Sequence, residues 1–303
     1  MQVALNAFLC YDNNEVDFMA EEKSNRRERL HARWIKFKRF LKRNMTPTWA
    51  KHFSYQVISF IISVFMVIGV AEYAVTKSYD ERKLEFVEGF TITAHTGAFD
   101  TVENSIDFVE VAVKNNVEVI ELDIRQRPNG TLVMNHDLVI TNNDGVELTK
   151  AFELLKGTDI KINLDIKETR TLNALHDLLI EYNLYGNAFL TGIESSDVNA
   201  VKKSSCSDLS YYLNMQPSRW RIFTDDYQQK LLKTLEETGA IGVNCNFKYA
   251  GGQLADLLHN NGYKLSVWTV NRTKDMKRCL VFKPDNLTTK QYDLLLSTID
   301  NWG

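Results

Sequence analysis

The chain has 303 residues, of which 44% are hydrophobic and 25% charged, with 14 glycines and 4 prolines. That balance excludes a disordered, collagen-like or linker-rich polypeptide and allows one large domain or two ordinary ones. The net charge of −3 averages two unlike parts: residues 1–53 hold eleven Lys/Arg and six Asp/Glu, whereas residues 54–303 hold 25 and 33.

The first 52 residues read as a basic cytoplasmic segment. Residues 53–71 then carry no charge and are rich in Ile, Val and Phe. As a helix, nineteen residues reach about 29 Å, close to the hydrocarbon thickness of a bilayer. A buried core helix is the alternative, but such helices seldom run so long without a polar face. The basic run from Arg26 to Arg43 directly precedes the span, so the positive-inside bias keeps the N-terminus in the cytoplasm and sends the rest across. Gly69-Val70-Ala71 could tempt a signal peptidase, yet so long a leader fits an uncleaved anchor better. Residues 53–74 are therefore expected to be a transmembrane signal anchor in the cell membrane, and residues 75–89 a linker. Topology and lipid contact account for the basic run, with no nucleic-acid partner. Cys10 falls on the cytoplasmic side. Cys206, Cys245 and Cys279 are too scattered for a disulfide framework and read as buried thiols.

From residue 90 onward, eight β-rich runs alternate with helical patterns. The strands are expected at 90–95, 117–124, 160–167, 187–193, 209–215, 240–246, 264–270 and 286–289. Helices are expected at 149–156, 170–183, 196–204, 225–238, 252–260, 273–280 and 290–299. A further one precedes them, where Val102, Ile106, Val109 and Val113 recur on one helical face. Eight such units over residues 90–303 predict a (β/α)8 TIM barrel, with a doubly wound open sheet as the alternative. Thr131–Asp137 breaks the alternation. It starts too soon after the second strand for a parallel crossover and is expected to pair antiparallel. With Asn129-Gly130 as a two-residue hairpin loop, opposed residues sum to 259 and His136 falls opposite Asp123.

Polar residues occupy positions where a barrel normally presents aliphatic ones. Glu121 and Asp123 are two apart and share one strand face, as do Asn163, Asp165 and Lys167. Like charges so placed repel unless a cation joins them, and three carboxylates suit Mg²⁺ or Ca²⁺. A salt-bridge network through Lys167 is the bland alternative. His95 ends the first strand beside these carboxylates, and two imidazoles flanking a cation could divide acid and base duties on a phosphodiester.

Six motifs, in order and spacing, resemble those of the glycerophosphodiester phosphodiesterase family: His95-Thr96-Gly97, Val102-Glu103-Asn104, Glu121-Leu122-Asp123, His136-Asp137, Asp165-Ile166-Lys167 and Val267-Trp268-Thr269-Val270-Asn271. The resemblance covers residues 90 to about 300. It implies a TIM barrel of the phospholipase C-like phosphodiesterase superfamily that cleaves glycerophosphodiesters with one divalent cation, Mg²⁺ or Ca²⁺. Carried over by position, His95 and His136 are the acid/base pair, and Glu121, Asp123 and Asp165 hold the metal. Lys167, Thr96 and Trp268 meet the substrate, with Glu103 and Asn104 in support. The chain departs from the family at Thr96, where an Arg is usual, and at Asp165, where many members carry Glu. A hydroxyl cannot replace a guanidinium's charge, so Lys167, Arg125 or Arg127 must compensate, or activity suffers. Together with the expected span, the resemblance points to a membrane-anchored phosphodiesterase acting on deacylated phospholipid, lysophospholipid or polyglycerol-phosphate groups. A catalytically impaired barrel kept for binding, and a lyase-type relative ending at a cyclic phosphate, are the alternatives. Asn129, Asn271 and Asn286 each open an N-x-Ser/Thr sequon, two near the expected site, which favours an unglycosylated bacterial origin.

Overall fold

A computed structural model describes residues 28–40, 42, 43 and 46–303. The expectations for residues 1–27, Cys10 among them, lie outside the described residues. The chain divides into two units, Met1–Tyr73 and Ala74–Gly303.

In the first unit, residues 28–40 are helical (α1). A long helix, α2, runs Pro47–Asp80. Pro47 fits the first helical turn, and the Thr46 hydroxyl accepts a hydrogen bond from the Trp49 amide at 3.2 Å, a conventional start. No residue of α2 is buried; Phe60, Phe65, Val67 and Val70 are each exposed by 69% or more. The helix is long and apolar enough to cross a membrane. It continues beyond residue 74, the expected end of the span, and leaves only residues 81–90 as a linker to the first strand.

Among the described residues of the second unit, eight parallel strands close into a barrel. They are β1 (Thr91–Ala94), β2 (Val119–Gln126), β5 (Lys161–Ile166), β6 (Ala188–Ile193), β7 (Tyr211–Asn214), β8 (Gly242–Asn246), β9 (Lys264–Trp268) and β10 (Asn286–Thr289). Each pairs with the next, and β1 pairs with both β10 and β2, so the sheet has no open end. The helices between them are α3 (Ile106–Lys114), α4 (Leu148–Leu155), α5 (Leu172–Glu181), α6 (Val198–Lys203), α7 (Asp225–Thr238), α8 (Gly252–Asn260), α9 (Thr273–Val281) and α10 (Tyr292–Asp300). Each lays an apolar stripe on the sheet; Leu231 and Leu235 of α7 are buried in this way.

One helix starts later than its periodicity predicts. Ser105 caps α3 by accepting from the Phe108 amide, so Val102 lies outside the helix and is 73% exposed. Strand alternation gives the barrel two unlike faces. On β2, Ile120, Leu122 and Ile124 join the apolar core beneath the helices. The barrel interior is instead a hydrogen-bonded polar layer: Thr93 donates to Asn286 Oδ1 at 2.7 Å, Asn286 Nδ2 to Ser266 at 3.0 Å, and Asn244 Nδ2 to Asn214 Oδ1 at 2.8 Å. Asn286 is thus buried and bonded, and its sequon cannot carry a glycan in the folded chain.

The hairpin after β2 corrects the expected register. Strand β3 (Leu132–Met134) is antiparallel to β2, as expected, but Ile124 faces Met134 and Gln126 faces Leu132, so opposed residues sum to 258. The reason is Pro128. A two-residue loop would need it to donate in the closing pair, and proline has no N–H. The closing bond moves back to Arg127, whose amide donates to the Thr131 carbonyl at 2.8 Å. The loop becomes Pro128-Asn129-Gly130, with Gly130 at φ 93°. Asn135 therefore stands opposite Asp123, its amide donating to the Asp123 carbonyl at 3.1 Å. A two-stranded extension with β4 (Val146–Glu147) completes the excursion.

Candidate active site

A cavity of about 460 Å³ is lined by His95, Glu103, Glu121, Asp123, His136, Asp165, Lys167 and Trp268, nearly all the residues the sequence nominated. Parallel pairing sets their heights, because Glu121 is level with Asn163 and Asp123 with Asp165 on the adjoining strands. His136 has left β3 (Leu132–Met134) by the time it reaches the cavity, which is how it lines it despite the shifted register. Arg125 fixes that stretch by donating from Nε and Nη2 to the His136 carbonyl at 3.1 and 3.0 Å.

Glu121, Asp123 and Asp165 each offer a carboxylate oxygen, and the three lie within 4.8 Å of one another. Burial drives the Glu121 carboxyl well above its usual range, and the charges of Asp165 and Asp123 push it further. Its Oε2 is buried without a hydrogen-bond partner, the condition a cation would relieve. Asp123 behaves oppositely. Burial opposes its charge, but Lys167 and the Asn104 amide outweigh that and hold it below the usual carboxylate value. Asn104 Nδ2 donates to Asp123 Oδ2 at 2.8 Å. Lys167 Nζ lies 2.9 Å from Asp123 and 2.5 Å from Asp165. Burial works against this ammonium too, yet the two carboxylates keep it above its ordinary value. The bland salt-bridge reading is therefore realised for Asp123 and Asp165 but leaves Glu121 unmatched. Three hard oxygen donors with one orphaned carboxylate oxygen fit Mg²⁺ or Ca²⁺.

Gly192 on β6 is required beneath this cluster. Its φ is +76°, and a Cβ there would stand 2.4 Å from the Ile166 carbonyl oxygen and 2.7 Å from Asp165 Oδ1. Only glycine lets the backbone approach so closely. Thr191, beside it, donates to Asp165 at 3.0 Å and orients the carboxylate.

The two histidines differ in setting. His95 Nδ1 lies 2.8 Å from the Thr96 carbonyl oxygen, which only accepts. The ring proton therefore belongs on Nδ1, leaving Nε2, 4.0 Å from Glu121, as the free base. Burial lowers its pKa from 6.5, and the charge of Lys290 adds to the effect. His136 is exposed, with Nδ1 3.1 Å from the Asp137 carboxylate.

Thr96 is not where a substrate contact should be. It is 1% exposed, does not line the cavity, and its hydroxyl accepts from the Asn104 amide. It buttresses the turn that carries Asn104. Arg125 and Arg127 do not replace the missing guanidinium, since Arg127 is held by the carbonyls of Asp144 and Gly145 and by Glu147. A second cation that lines the cavity, besides Lys167, is Lys290, just after β10, paired there with Glu103. Sequence reasoning missed it, although a charged residue at the C-terminal end of a barrel strand was signal enough. Trp268 lines the cavity, and its buried indole N–H has no hydrogen-bond partner.

No protein-family model matches the chain. A glycerophosphodiester phosphodiesterase of Caldanaerobacter subterraneus subsp. tengcongensis is 23% identical over 239 residues, covering 70% of this chain and 98% of the relative. Solved structures agree in fold. The glycerophosphodiester phosphodiesterase of Parabacteroides distasonis superposes with a TM-score of 0.56 at 15% identity, covering 70% of this chain and 97% of that one. That of Thermotoga maritima gives 0.52 at 17%, covering 70% and 99%. A phosphodiesterase of Oleispira antarctica, solved with the product sn-glycerol-3-phosphate, gives 0.57 at 16%, covering 70% and 97%. Glycerophosphodiester phosphodiesterases thus share this chain's closed barrel.

Proposed function

We propose that the protein is a membrane-anchored glycerophosphodiester phosphodiesterase that works with one divalent cation, Mg²⁺ or Ca²⁺. The observation that carries this reading is the meeting of two histidines with three carboxylates in one cavity, one carboxylate oxygen being buried and unpaired. Glu121, Asp123 and Asp165 would hold the cation, which when bound supplies positive charge to a phosphoryl oxygen. His95, neutral and with Nε2 free, takes the proton of the attacking water. His136 delivers a proton to the departing alcohol. Lys167 and Lys290 meet the phosphate's negative charge, and Trp268 lines the alcohol side of the cavity with an indole N–H ready for a hydroxyl. Glu103 and Asn104 position Lys290 and Asp123. Lys290 thereby provides the charge that Thr96 cannot, which argues against a barrel kept only for binding. The N-terminal segment would be cytoplasmic, α2 the single span, and the barrel extracytoplasmic, with a small or lipid-derived phosphodiester as substrate.

Turnover of glycerophosphocholine and of an aryl phosphodiester by the full chain, with Mg²⁺ or Ca²⁺ added back after chelation, tests the reading. We expect glycerol-phosphate release that His95→Ala abolishes. Turnover by His95→Ala equal to that of the parent chain would overturn the site assignment.

A further inference from the structure

The largest cavity among the described residues lies away from the histidines. It measures about 750 Å³, against about 460 Å³ for the cavity that holds His95 and His136, and the two share no lining residue. Both volumes are those of small-molecule sites. Every wall belongs to the barrel unit: Tyr79 and Arg82 before β1, residues 219–223 after β7, the start of α8, and residues 278–283 at the end of α9.

Charge is distributed there against the trend of the chain. Residues 54–303 carry 33 acids and 25 bases, yet this cavity is lined by Arg82, Arg219, Arg278 and Lys283 with one acid, Asp256. Two of the four cations are already engaged. Arg278 donates to the Phe247 carbonyl at 2.6 Å, and Lys283 to Glu85 at 2.6 Å. The guanidiniums of Arg82 and Arg219 have no partner among the described residues. Each is a planar fork that fits a pair of anionic oxygens. Together they answer the roughly two negative charges of a phosphate monoester better than the single charge of a carboxylate.

The rest of the lining is largely apolar. Trp220 is 87% exposed, more than any other large apolar side chain among the described residues, and Phe223 is 67% exposed. Large rings left in water beside a cavity are a surface that a ligand covers with gain. The cavity also meets Ile222, Ala250 and Leu254, all buried. These three side chains have no donor or acceptor with which to read a base or a sugar, so they suit a hydrocarbon body.

We propose that this flank cavity is a second binding site, for an alkyl phosphate monoester. Arg82 and Arg219 hold the phosphate, and the hydrocarbon lies against Trp220, Phe223 and the buried aliphatic wall. The assignment goes beyond the catalytic reading and does not depend on it.

The test titrates hexyl phosphate into the full chain in phosphatidylcholine nanodiscs with chelator present. The difference in emission between the parent chain and Trp220→Phe isolates Trp220. We expect that component to move to shorter wavelength as the ligand covers the ring, and inorganic phosphate and hexanol each to bind at least about tenfold more weakly. Arg82→Gln combined with Arg219→Gln should weaken hexyl phosphate at least about tenfold. Both side chains are exposed, so the fold does not rest on them, which an unchanged melting temperature checks. Lys290→Met, in the other cavity, should leave the Trp220 signal as it is. Trp220 emission that hexyl phosphate does not move would overturn the proposal. So would a shift that survives loss of both arginines, a shift lost in Lys290→Met, or inorganic phosphate or adenosine monophosphate binding as tightly as the hexyl ester. None of these readouts requires turnover, so failure of the phosphodiesterase assignment would register separately.

Discussion

The ammonium of Lys290 and the carboxylate of Glu103 form an ion pair between residues 187 positions apart, joining the end of the last barrel strand to the connection after the first. The pair lies at the cavity, and Lys290 acts electrostatically on both His95 and Glu121. Lys290→Met should lower turnover of a glycerophosphodiester about 10²-fold, the scale for losing one charge-stabilising group. Lys290→Arg should recover part of it, because a guanidinium reaches the same phosphate with an equal charge. Steady-state kinetics on the three chains checks both.

Glu121→Gln separates ion binding from folding. It removes a ligand, and calorimetric titration with Mg²⁺ or Ca²⁺ should show affinity reduced by at least about 100-fold. In chelator the same change relieves a buried, repelled carboxylate. An acid whose folded pKa is raised costs stability that grows as pH rises above its unfolded value and vanishes only below that value. At neutral pH the ion-free variant should therefore melt a few degrees higher than the parent, on the order of 1 kcal/mol.

The acid limb of the rate profile should lie beneath pH 6.5. Burial lowers the His95 pKa, the Lys290 charge adds to this, and the bond to the Thr96 carbonyl opposes it. A base with a lowered pKa stays unprotonated further into acid, so activity is lost only as the pH falls through that depressed value. Lys290→Met removes a positive neighbour and should move the limb upward. Profiles of kcat/KM for both chains test the direction.

The barrel cysteines should be inert. Burial raises the Cys206 thiol to about 11 and those of Cys245 and Cys279 to about 12. Raised thiol pKa values contribute stability that is whole below the unfolded value of about 8.5 and lost as pH rises towards the folded ones. Iodoacetamide at pH 8 should label none of the three in the folded chain and all three in denaturant, as read by mass spectrometry.

The barrel was readable because its strands alternate with helical patterns at regular intervals; the helices 225–238 and 252–260 coincide with α7 and α8. Glu121-x-Asp123 and Asp165-x-Lys167 stood out because a strand interior is a costly place for charge. What sequence periodicity could not supply was the influence of single residues on local geometry. The Asn129-Gly130 signal outweighed Pro128, though a missing N–H decides which pair closes the loop. Thr96 was read by its place in a motif, whereas its burial depends on a bond to the Asn104 amide, which only the folded turn reveals. Lys290 escaped notice because no motif named it, and its pairing with Glu103 exists only once β1 and β10 meet on closure.

That closure also orders events in time. Thr91 of β1 lies level with Asn286 of β10, so the strand bearing His95 lacks one of its two neighbours until almost the whole polypeptide is available. A chain emerging from synthesis N-terminal end first would have to hold its early strands unsealed, their edges open to self-association, while the rest arrived. Deletion of the last twenty residues would remove β10 altogether and leave the barrel a slit cylinder. The growing chain therefore stays open to self-association until its final residues have been made.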